Sequence, residues 1–546
     1  MDSSEHAGRS RHRHVSRLRT PKAYRICDGV TEGVLYGMIV FAPWAFGATE
    51  RWSIWTMNVG GYILGLLLAA KWFIRWRAGY RPVRWGEGDE VRNPKSEIRS
   101  ANPEVGQEIE DSMARGTGTW SSHGRPRGMA NLLTATLAIL TSVILVYCFI
   151  SAVNARSTFI YRQMAFEPHE YVAWLPHSYD SWATWQAFWM YLALALSFWA
   201  ARDWLLGKSG PERRESRAGG GEQEENLPFR VAHAGLPMRL RRMLWVLCLN
   251  GTALALESIL QRLSSTNKLL WLVQPAINQS AESQFGPYAY RSNAAQYFNL
   301  LWPVCLGFWW KLRRTSKFAT RARARLGGGP HVVLLPCGVL LAAAPIISTS
   351  RGGALVAFGG IMLAAVLFLS ANRRSNLVMR LGIILLLAAT LGLASYLGWD
   401  KLEKRLATIF SDDLSGRVEI YENARQMARD FPLFGAGPGS FPWVYHLYRT
   451  HAQAEWAAYA HNDWLETRIT FGWAGFAPIL AMLLIVFLRW FGPGGIPAHW
   501  LFVSMIWLAL AGCLLHARFD FPFQICSILA LFLLLCAALF CLSKRA

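Results

Sequence analysis

The sequence predicts an all-α integral membrane protein with about 12 transmembrane helices and a large, partly helical periplasmic loop between helices 9 and 10. Of its 546 residues, 53% are hydrophobic and only 17% are charged, which is the composition of a membrane protein and not of a soluble domain. The apolar residues recur in stretches long enough to cross a bilayer, and the basic residues concentrate between alternate stretches. These two patterns predict both the helices and their direction.

Each predicted span is an apolar stretch of roughly 17 to 22 residues, the length that a helix needs to cross the hydrocarbon layer. The spans lie at residues 30–48, 54–74, 129–151, 183–204, 243–260, 294–310, 331–347, 353–371, 377–397, 471–490, 500–515 and 523–542. Pro43 and several glycines in the first span indicate a broken or re-entrant helix there.

A net charge of +21 raises the question of nucleic-acid binding, and the position of the charge answers it. With the N-terminus inside, about 40 of the 56 Lys and Arg lie on the cytoplasmic side, which is the asymmetry that orients membrane proteins. We therefore expect contact with membrane lipids, no nucleic-acid partner, and both termini in the cytoplasm.

The same signals divide the chain into membrane, cytoplasmic and periplasmic parts. The linkers are rich in Gly, Glu, Ser and Arg without apolar periodicity, which is typical of disordered segments. We expect a basic cytoplasmic N-terminus at 1–29, transmembrane helices at 30–74, 129–204, 243–397 and 471–542, disordered cytoplasmic linkers at 75–128 and 205–242, a periplasmic catalytic loop at 398–470, and a cytoplasmic C-terminus at 543–546.

An amphipathic helix is predicted at 415–431 (SGRVEIYENARQMARDF), where apolar residues recur at steps of three and four. Arg417, Arg425 and Arg429 lie on one side of it at multiples of four. Spacing alone leaves two interpretations open: a solvated basic face, or a row of guanidinium groups directed at phosphates.

Two further features follow this helix. The turn at 432–441 (PLFGAGPGSF) contains three glycines, but it lacks the preceding strand and the Lys of a nucleotide-binding loop, which favours a structural role. His461, in AHNDWLE, stands a few residues before the tenth span. A loop histidine is commonly a surface residue, whereas at the membrane boundary an imidazole can accept a proton from a sugar hydroxyl.

Two junctions between spans also carry cations. Arg351 lies in a Ser-Arg-Gly-Gly turn between the seventh and eighth spans, where it either snorkels to the interface or has a function. Arg291 and Asn293 stand at the entrance to the sixth span, in FGPYAYRSNAAQ. The cysteines form no CxxC or Cys/His pair, so neither a disulfide framework nor a metal site is indicated.

Taken in order, these sequence motifs resemble those of the O-antigen ligase and polymerase superfamily (Wzy-C type) of bacterial inner-membrane glycan transferases. The resemblance rests on 286–293, the SRG turn at 350–352, Arg417, the P-x-x-G-x-G element at 432–437, the His461–Asn462 pair and the G-x-x-G step at 472–475. It covers roughly residues 250–540. The long cytoplasmic linkers depart from the family pattern.

The resemblance implies a metal-independent, inverting glycosyltransferase of the inner membrane that uses no cofactor. It implies an undecaprenyl-diphosphate-linked glycan as donor and a lipid or glycan as acceptor. His461 would be the general base, and Arg351 and Arg417 would hold the donor diphosphate, where preorganised cations stabilise a leaving group that gains charge. Arg291, Asn293, Arg425 and Asn462 are expected to bind substrate.

Two other classes of function stay open at this stage. A transporter would place ionisable residues near the bilayer midplane and show related half-sequences; Glu257 is the main candidate residue, and no convincing internal symmetry is visible. A scaffolding subunit would leave the Arg and His at the loop junctions without a purpose. The motif set is shared by ligases and polymerases, so the sequence names neither the donor sugar nor the acceptor.

Overall fold

The computed structural model describes residues 20–85, 127–212, 235–319, 329–371, 414–450, 457–491 and 499–543, together with isolated positions between 372 and 413. Within these ranges the chain is mostly helical. The helices that coincide with predicted spans are α1 (Lys22–Trp44), α2 (Arg51–Ala78), α3 (Arg127–Val153), α4 (Ser181–Leu206), α5 (Met238–Leu263), α6 (Arg291–Ala319), α7 (Leu334–Ile347), α8 (Arg351–Ala371), α10 (Asp463–Phe491), α11 (Trp500–His516) and α12 (Cys526–Ser543).

Membrane-spanning character is clear for part of this set. Seven helices of the described chain are long and apolar enough to cross a bilayer: α1, α2, α3, α5, α7 with the 3-10 turn before it, α8 and α10. Helices α11 and α12 are apolar but shorter. The structure thus agrees with a multi-pass membrane protein, whereas the predicted total of twelve spans is not confirmed. The predicted ninth span, 377–397, lies largely outside the described residues.

Helix α6 is central to the bundle and packs against α5, α7, α8 and α11. Its large side chains, Phe298, Trp302 and Phe308 among them, are fully buried. The Trp302 ring lies where a Cβ at Gly360 of α8 would stand, so this glycine allows the two helices to approach. Helix α6 begins at Arg291, and its first turn is buried. This burial holds in place the residues of that turn that take part in the candidate site.

The first helix is continuous, contrary to the expectation of a break. Pro43 lies in the last turn of α1, and the chain leaves the helix at Ala45 for a 3-10 turn. Pro43 has no N–H to donate to Ile39 O, and this carbonyl accepts from Asn250 Nδ2 at 3.3 Å instead. The break therefore lies at the end of α1 and not inside it, and the re-entrant path stays a prediction.

A buried ionic cluster joins four helices at the end opposite His461. Asp203 of α4 contacts Lys71 and Arg75 of α2 at 3.2 and 2.7 Å, and Arg84 at 2.6 Å. Asp28 of α1 pairs with Arg239 of α5. These pairs order the edges of both predicted linkers, where Arg84 also forms a β-bridge with residue 207. The remaining parts of the linkers lie outside the described residues.

The extramembrane part beside His461 contains a hairpin and a further helix. Strands β1 (Ser157–Ile160) and β2 (Ala165–Pro168) pair antiparallel, with Ser157 opposite Pro168. Helix α9 (Leu414–Asp430) is the amphipathic helix that the sequence predicts at 415–431, with Ala424 and Met427 fully buried. It packs against the first part of α10.

Helix α10 contains a sharp break at Gly472, which has φ 55° and ψ −170°. The turn at 432–440 fits into this break: Trp473 N donates to Pro432 O at 3.0 Å, and Gly437 N donates to Thr470 O at 3.0 Å. A Cβ at Gly472 would overlap the Leu433 carbonyl, and only glycine adopts this backbone conformation readily. The glycine-rich turn is thus packed as a structural element that is hydrogen-bonded to both the outer part of α10 and its membrane part.

Candidate functional site

His461 is held by its backbone on both sides. Its φ is 50°, an uncommon value for a residue with a side chain. Tyr421 of α9 donates its hydroxyl to the His461 carbonyl at 2.9 Å, and Ala460 N donates to Oε2 of Glu466 at 2.8 Å. Asn462 then caps α10, because its Oδ1 accepts from Leu465 N at 3.2 Å. The imidazole is therefore placed by fixed contacts, with 27% of its side chain exposed.

The imidazole faces a buried carboxylate that the sequence did not single out. His461 Nδ1 lies 3.4 Å from Oδ1 of Asp520, in the short segment between α11 and α12. The other carboxylate oxygen, Oδ2, accepts from the Ser292 hydroxyl of α6 and lies 3.9 Å from His516 Nε2. Burial raises the pKa of Asp520, but the hydrogen bond and charge of His461 and the charges of His516 and Arg417 together lower it to about 2. Asp520 is thus an anion at neutral pH.

A clamp fixes the distance between these two residues. Asp463, two residues after His461, donates its backbone N–H to Ala517 O at 2.8 Å and to Asp520 O at 3.2 Å. Its carboxylate accepts from Phe523 N at 2.7 Å and from Gln524 Nε2 at 3.0 Å. The start of α10 and the segment between α11 and α12 are therefore one hydrogen-bonded unit.

Arg417 contacts this unit directly, whereas Arg351 lies in a turn whose other residues contact Ser292 and His516. Arg417 of α9 donates from Nη1 to Phe519 O at 3.1 Å, one residue before Asp520. Arg351 opens α8, and the residues on either side of it touch the same group: Ser350 donates to Ser292 Oγ at 3.1 Å, and a Cβ at Gly352 would lie 2.9 Å from His516 Nε2. The SRG turn, the loop Arg and the loop His thus converge on Asp520 and Ser292.

Aromatic rings close one side of the site. Phe521 is stacked between Tyr290 and Tyr459, with ring centroids 5.3 and 4.2 Å apart. The His461 ring stands edge-on to Phe521 at 4.9 Å. This stack buries Phe521 and prevents the imidazole from rotating toward it.

The remaining predicted binding residues lie at varied distances from this centre. Arg291 donates to Glu282 O at 2.7 Å, so it holds the loop that precedes α6. Asn293 is buried in the first turn of α6, and Arg425 is exposed on α9. Asn462 is buried and acts as the cap of α10. Their contact with substrate stays a prediction.

The sequence reasoning missed Asp520, Ser292 and His516. A signal was present: the segment HARFD at 516–520 carries a histidine and an acid between two apolar spans, on the same side as His461 by the predicted topology. Ser292 stands between the two residues that were singled out, Arg291 and Asn293. Only the fold brings these positions together, because Asp520 is 59 residues from His461 and 228 residues from Ser292 along the chain.

Comparison with known families gives one match. Residues 336–480 match the family model Wzy_C, described as O-Antigen ligase. The matched range includes the SRG turn, Arg417, the glycine-rich turn and His461, while Ser292, His516 and Asp520 lie outside it. No curated protein matches the chain.

Proposed function

We propose that this chain, which belongs to the O-antigen ligase and polymerase family, transfers a glycan from an undecaprenyl-diphosphate-linked donor to an acceptor hydroxyl at the periplasmic face of the membrane. The observation that carries the proposal is the convergence of His461, Arg417 and the turn that contains Arg351 on the segment around the buried Asp520. Residues from five separate parts of the chain meet there, at one end of an apolar helical bundle. A lipid-linked substrate can present its diphosphate at such a place while its chain stays in the bilayer.

His461 is the general base in this proposal. Because Nδ1 lies 3.4 Å from Asp520 Oδ1, we assign the proton of the neutral ring to Nδ1, which leaves Nε2 as the acceptor. The acceptor oxygen attacks the anomeric carbon as its proton passes to Nε2, and the bond from that carbon to the diphosphate breaks with its electron pair leaving on the phosphate oxygen. Attack opposite the leaving group inverts the anomeric centre.

Asp520 acts through His461 and is a positioning residue. Its negative charge holds the imidazole in one orientation and stabilises the imidazolium that forms as the proton is taken up. The Ser292 hydroxyl bonds the second carboxylate oxygen, which fixes the plane of the carboxylate. The negative charge of Asp520 is therefore already in position beside His461 when the substrate binds.

Arg351 and Arg417 supply the positive charge for the diphosphate. Guanidinium groups present forked donors that match phosphate oxygens, and their charge stabilises the leaving group more as it becomes more negative. On this basis we propose that the reaction needs no metal ion or other cofactor. Arg425, exposed on the same helix as Arg417, is placed to extend the cationic surface toward the donor.

The proposed topology places the protein in the bacterial inner membrane with both termini in the cytoplasm. The loop at 398–470 is then periplasmic, and the ionic cluster around Asp203 lies on the cytoplasmic side. A transporter is less well supported. Glu257, the residue expected near the midplane in that case, stands six residues from the end of α5 nearest the site.

The test is transfer by the purified protein in lipid nanodiscs with an undecaprenyl-diphosphate-linked glycan and a panel of acceptors. We expect product with the wild type and a loss of about 100-fold or more in kcat for His461→Ala, with donor binding retained. His169→Ala is the matched control, because His169 is an exposed histidine in another extramembrane loop. Unchanged transfer by His461→Ala contradicts the general-base role.

The choice of acceptor distinguishes a ligase from a polymerase, the two activities found in this family. A ligase joins the glycan to a different lipid or glycan, whereas a polymerase uses a second copy of the donor glycan and yields a ladder of lengths. Electrophoresis of the products with and without a separate acceptor decides between them. Transport without chemical change of the donor would contradict both.

A further inference from the structure

The loop between α5 and α6 contains a closed turn that exposes apolar side chains. Leu269 and Val273 form reciprocal backbone hydrogen bonds of 2.7 and 3.1 Å, and Leu272 N donates to Leu269 O at 2.9 Å. Leu270 and Trp271 have φ values of 53° and 60°, which cost free energy for residues with side chains. The turn is therefore a built element of defined shape.

The side chains that this turn displays have no place in the core. Leu272 is 75% exposed and Ile277 is 70% exposed, and Trp271 and Val273 are exposed beside them. A patch of this kind rimmed by polar residues usually marks a surface that contacts another apolar body. The rim here consists of Asn267, Lys268 and Gln279.

The apolar patch continues a surface that faces lipid. Leu256, Leu260 and Leu263 are exposed on one face of α5, a helix apolar enough to span the membrane. The turn is attached to the end of that helix, because Trp271 Nε1 donates to Ser264 Oγ at 2.9 Å and Gln261 Nε2 donates to Lys268 O at 2.9 Å. A surface joined to the end of a lipid-facing stripe fits the bilayer and not a protein partner in the water layer.

We propose that the segment 268–277, here called the apolar wedge, inserts into the interfacial layer of the leaflet nearest the candidate site. Trp271 and Leu272 lie among the upper parts of the lipid chains, and Lys268 lies at the level of the lipid phosphates. The proposal does not depend on the transfer reaction, so its failure and that of the proposed function are separate outcomes.

The wedge is joined rigidly to the site. Gln284 donates from Nε2 to Asn267 O at 3.1 Å and to Asn278 O at 2.8 Å, which closes the base of the loop. Arg262 donates to Gln284 O and to Ser348 O, both at 2.9 Å, and so ties this base to the residue two positions before Ser350. Insertion of the wedge therefore sets the height of the SRG turn relative to the lipid headgroups.

The test uses a fluorophore that reports polarity, attached to Leu272→Cys in the full-length protein. Cys27 is half-buried and the other cysteines are buried, so a Cys27→Ser parent limits background labelling. The protein is placed in nanodiscs of phosphatidylethanolamine and phosphatidylglycerol, with lipids that carry a doxyl quencher near the headgroup or deep in the chain. Gln279→Cys, exposed on the polar rim of the same loop, is the matched control.

We expect emission from the Leu272→Cys label to shift to shorter wavelength and to be quenched most by the shallow doxyl lipid. The control label is expected to emit as in water and to be quenched little. Ile277→Cys, the second exposed site of the wedge, should behave as Leu272→Cys does. Emission from both wedge labels equal to that of the control overturns the proposal, and so does a shift to shorter wavelength without quenching, which indicates contact with protein.

Discussion

Replacement of Asp520 by Asn is the most informative change, because it removes one charge and keeps the shape. Unit charges 3.4 Å apart attract by about 5 kcal/mol at an effective dielectric constant near 20. The His461 side chain is 27% exposed, so we expect solvent to screen about half of this attraction. About 2 kcal/mol of imidazolium stabilisation is then lost, which corresponds to roughly 30-fold in kcat.

The assay is steady-state transfer in nanodiscs, with kcat and the KM for the lipid-linked donor measured separately. Asp520 acts on the base, so kcat is expected to fall while KM changes little. Asp430→Asn is the matched control, since Asp430 is exposed at the end of α9. The thermal midpoint of each variant shows whether it is folded. Wild-type kcat for a folded Asp520→Asn protein, or a change confined to KM, would refute the positioning role.

Three further predictions follow from the same contacts. Arg417→Ala is expected to lower kcat/KM for the donor by about 10- to 100-fold, from the 1.5 to 3 kcal/mol typical of hydrogen bonds to charged groups, while Arg429→Ala on the same helix has little effect; equal losses would indicate a general basic face. Gly472→Ala is expected to destabilise the protein by about 2 to 4 kcal/mol in thermal unfolding, whereas Gly359→Ala, with open space around it, is neutral or slightly stabilising; a benign Gly472→Ala would contradict the packing of the kink. Because the pKa of Asp520 is lowered from 3.8 to about 2, its ionised form stabilises the fold fully above about pH 5, and this contribution is lost as the pH falls toward 2; the difference in thermal midpoint between wild type and Asp520→Asn should shrink over that window.

Hydropathy predicted the helices well because each membrane helix corresponds to one continuous apolar stretch of the sequence. Each of the eleven described helices that coincide with a predicted span begins and ends within nine residues of it, and α9 lies where the three- and four-residue spacing indicates. The edges of the linkers were predicted less well. Charged residues such as Arg84 read as disordered when taken alone, and they are ordered because a distant acid, Asp203, is buried beside them.

In the candidate site, too, some residues have a local sequence signal and others depend on distant contacts. Three of its residues can be recognised from their immediate neighbours in the sequence. His461 is followed by Asn462, Arg417 belongs to a row of arginines at multiples of four, and Arg351 lies in an SRG turn. Asp520 and Ser292 carry no signal of comparable strength, since their role consists of contacts with residues far away in the chain. In the sequence, Asp520 is a single acidic residue between two phenylalanines and looks like any loop acid. Only the fold shows that an imidazole lies beside it.

The Asp463 clamp has a mechanical consequence. The base and its carboxylate belong to different inter-helical connections, and relative sliding of the helices below would ordinarily pull such a pair apart. Here four hydrogen bonds through Asp463 join the two connections, so His461 and Asp520 move together. The reactive pair should therefore keep its separation in membranes of different thickness.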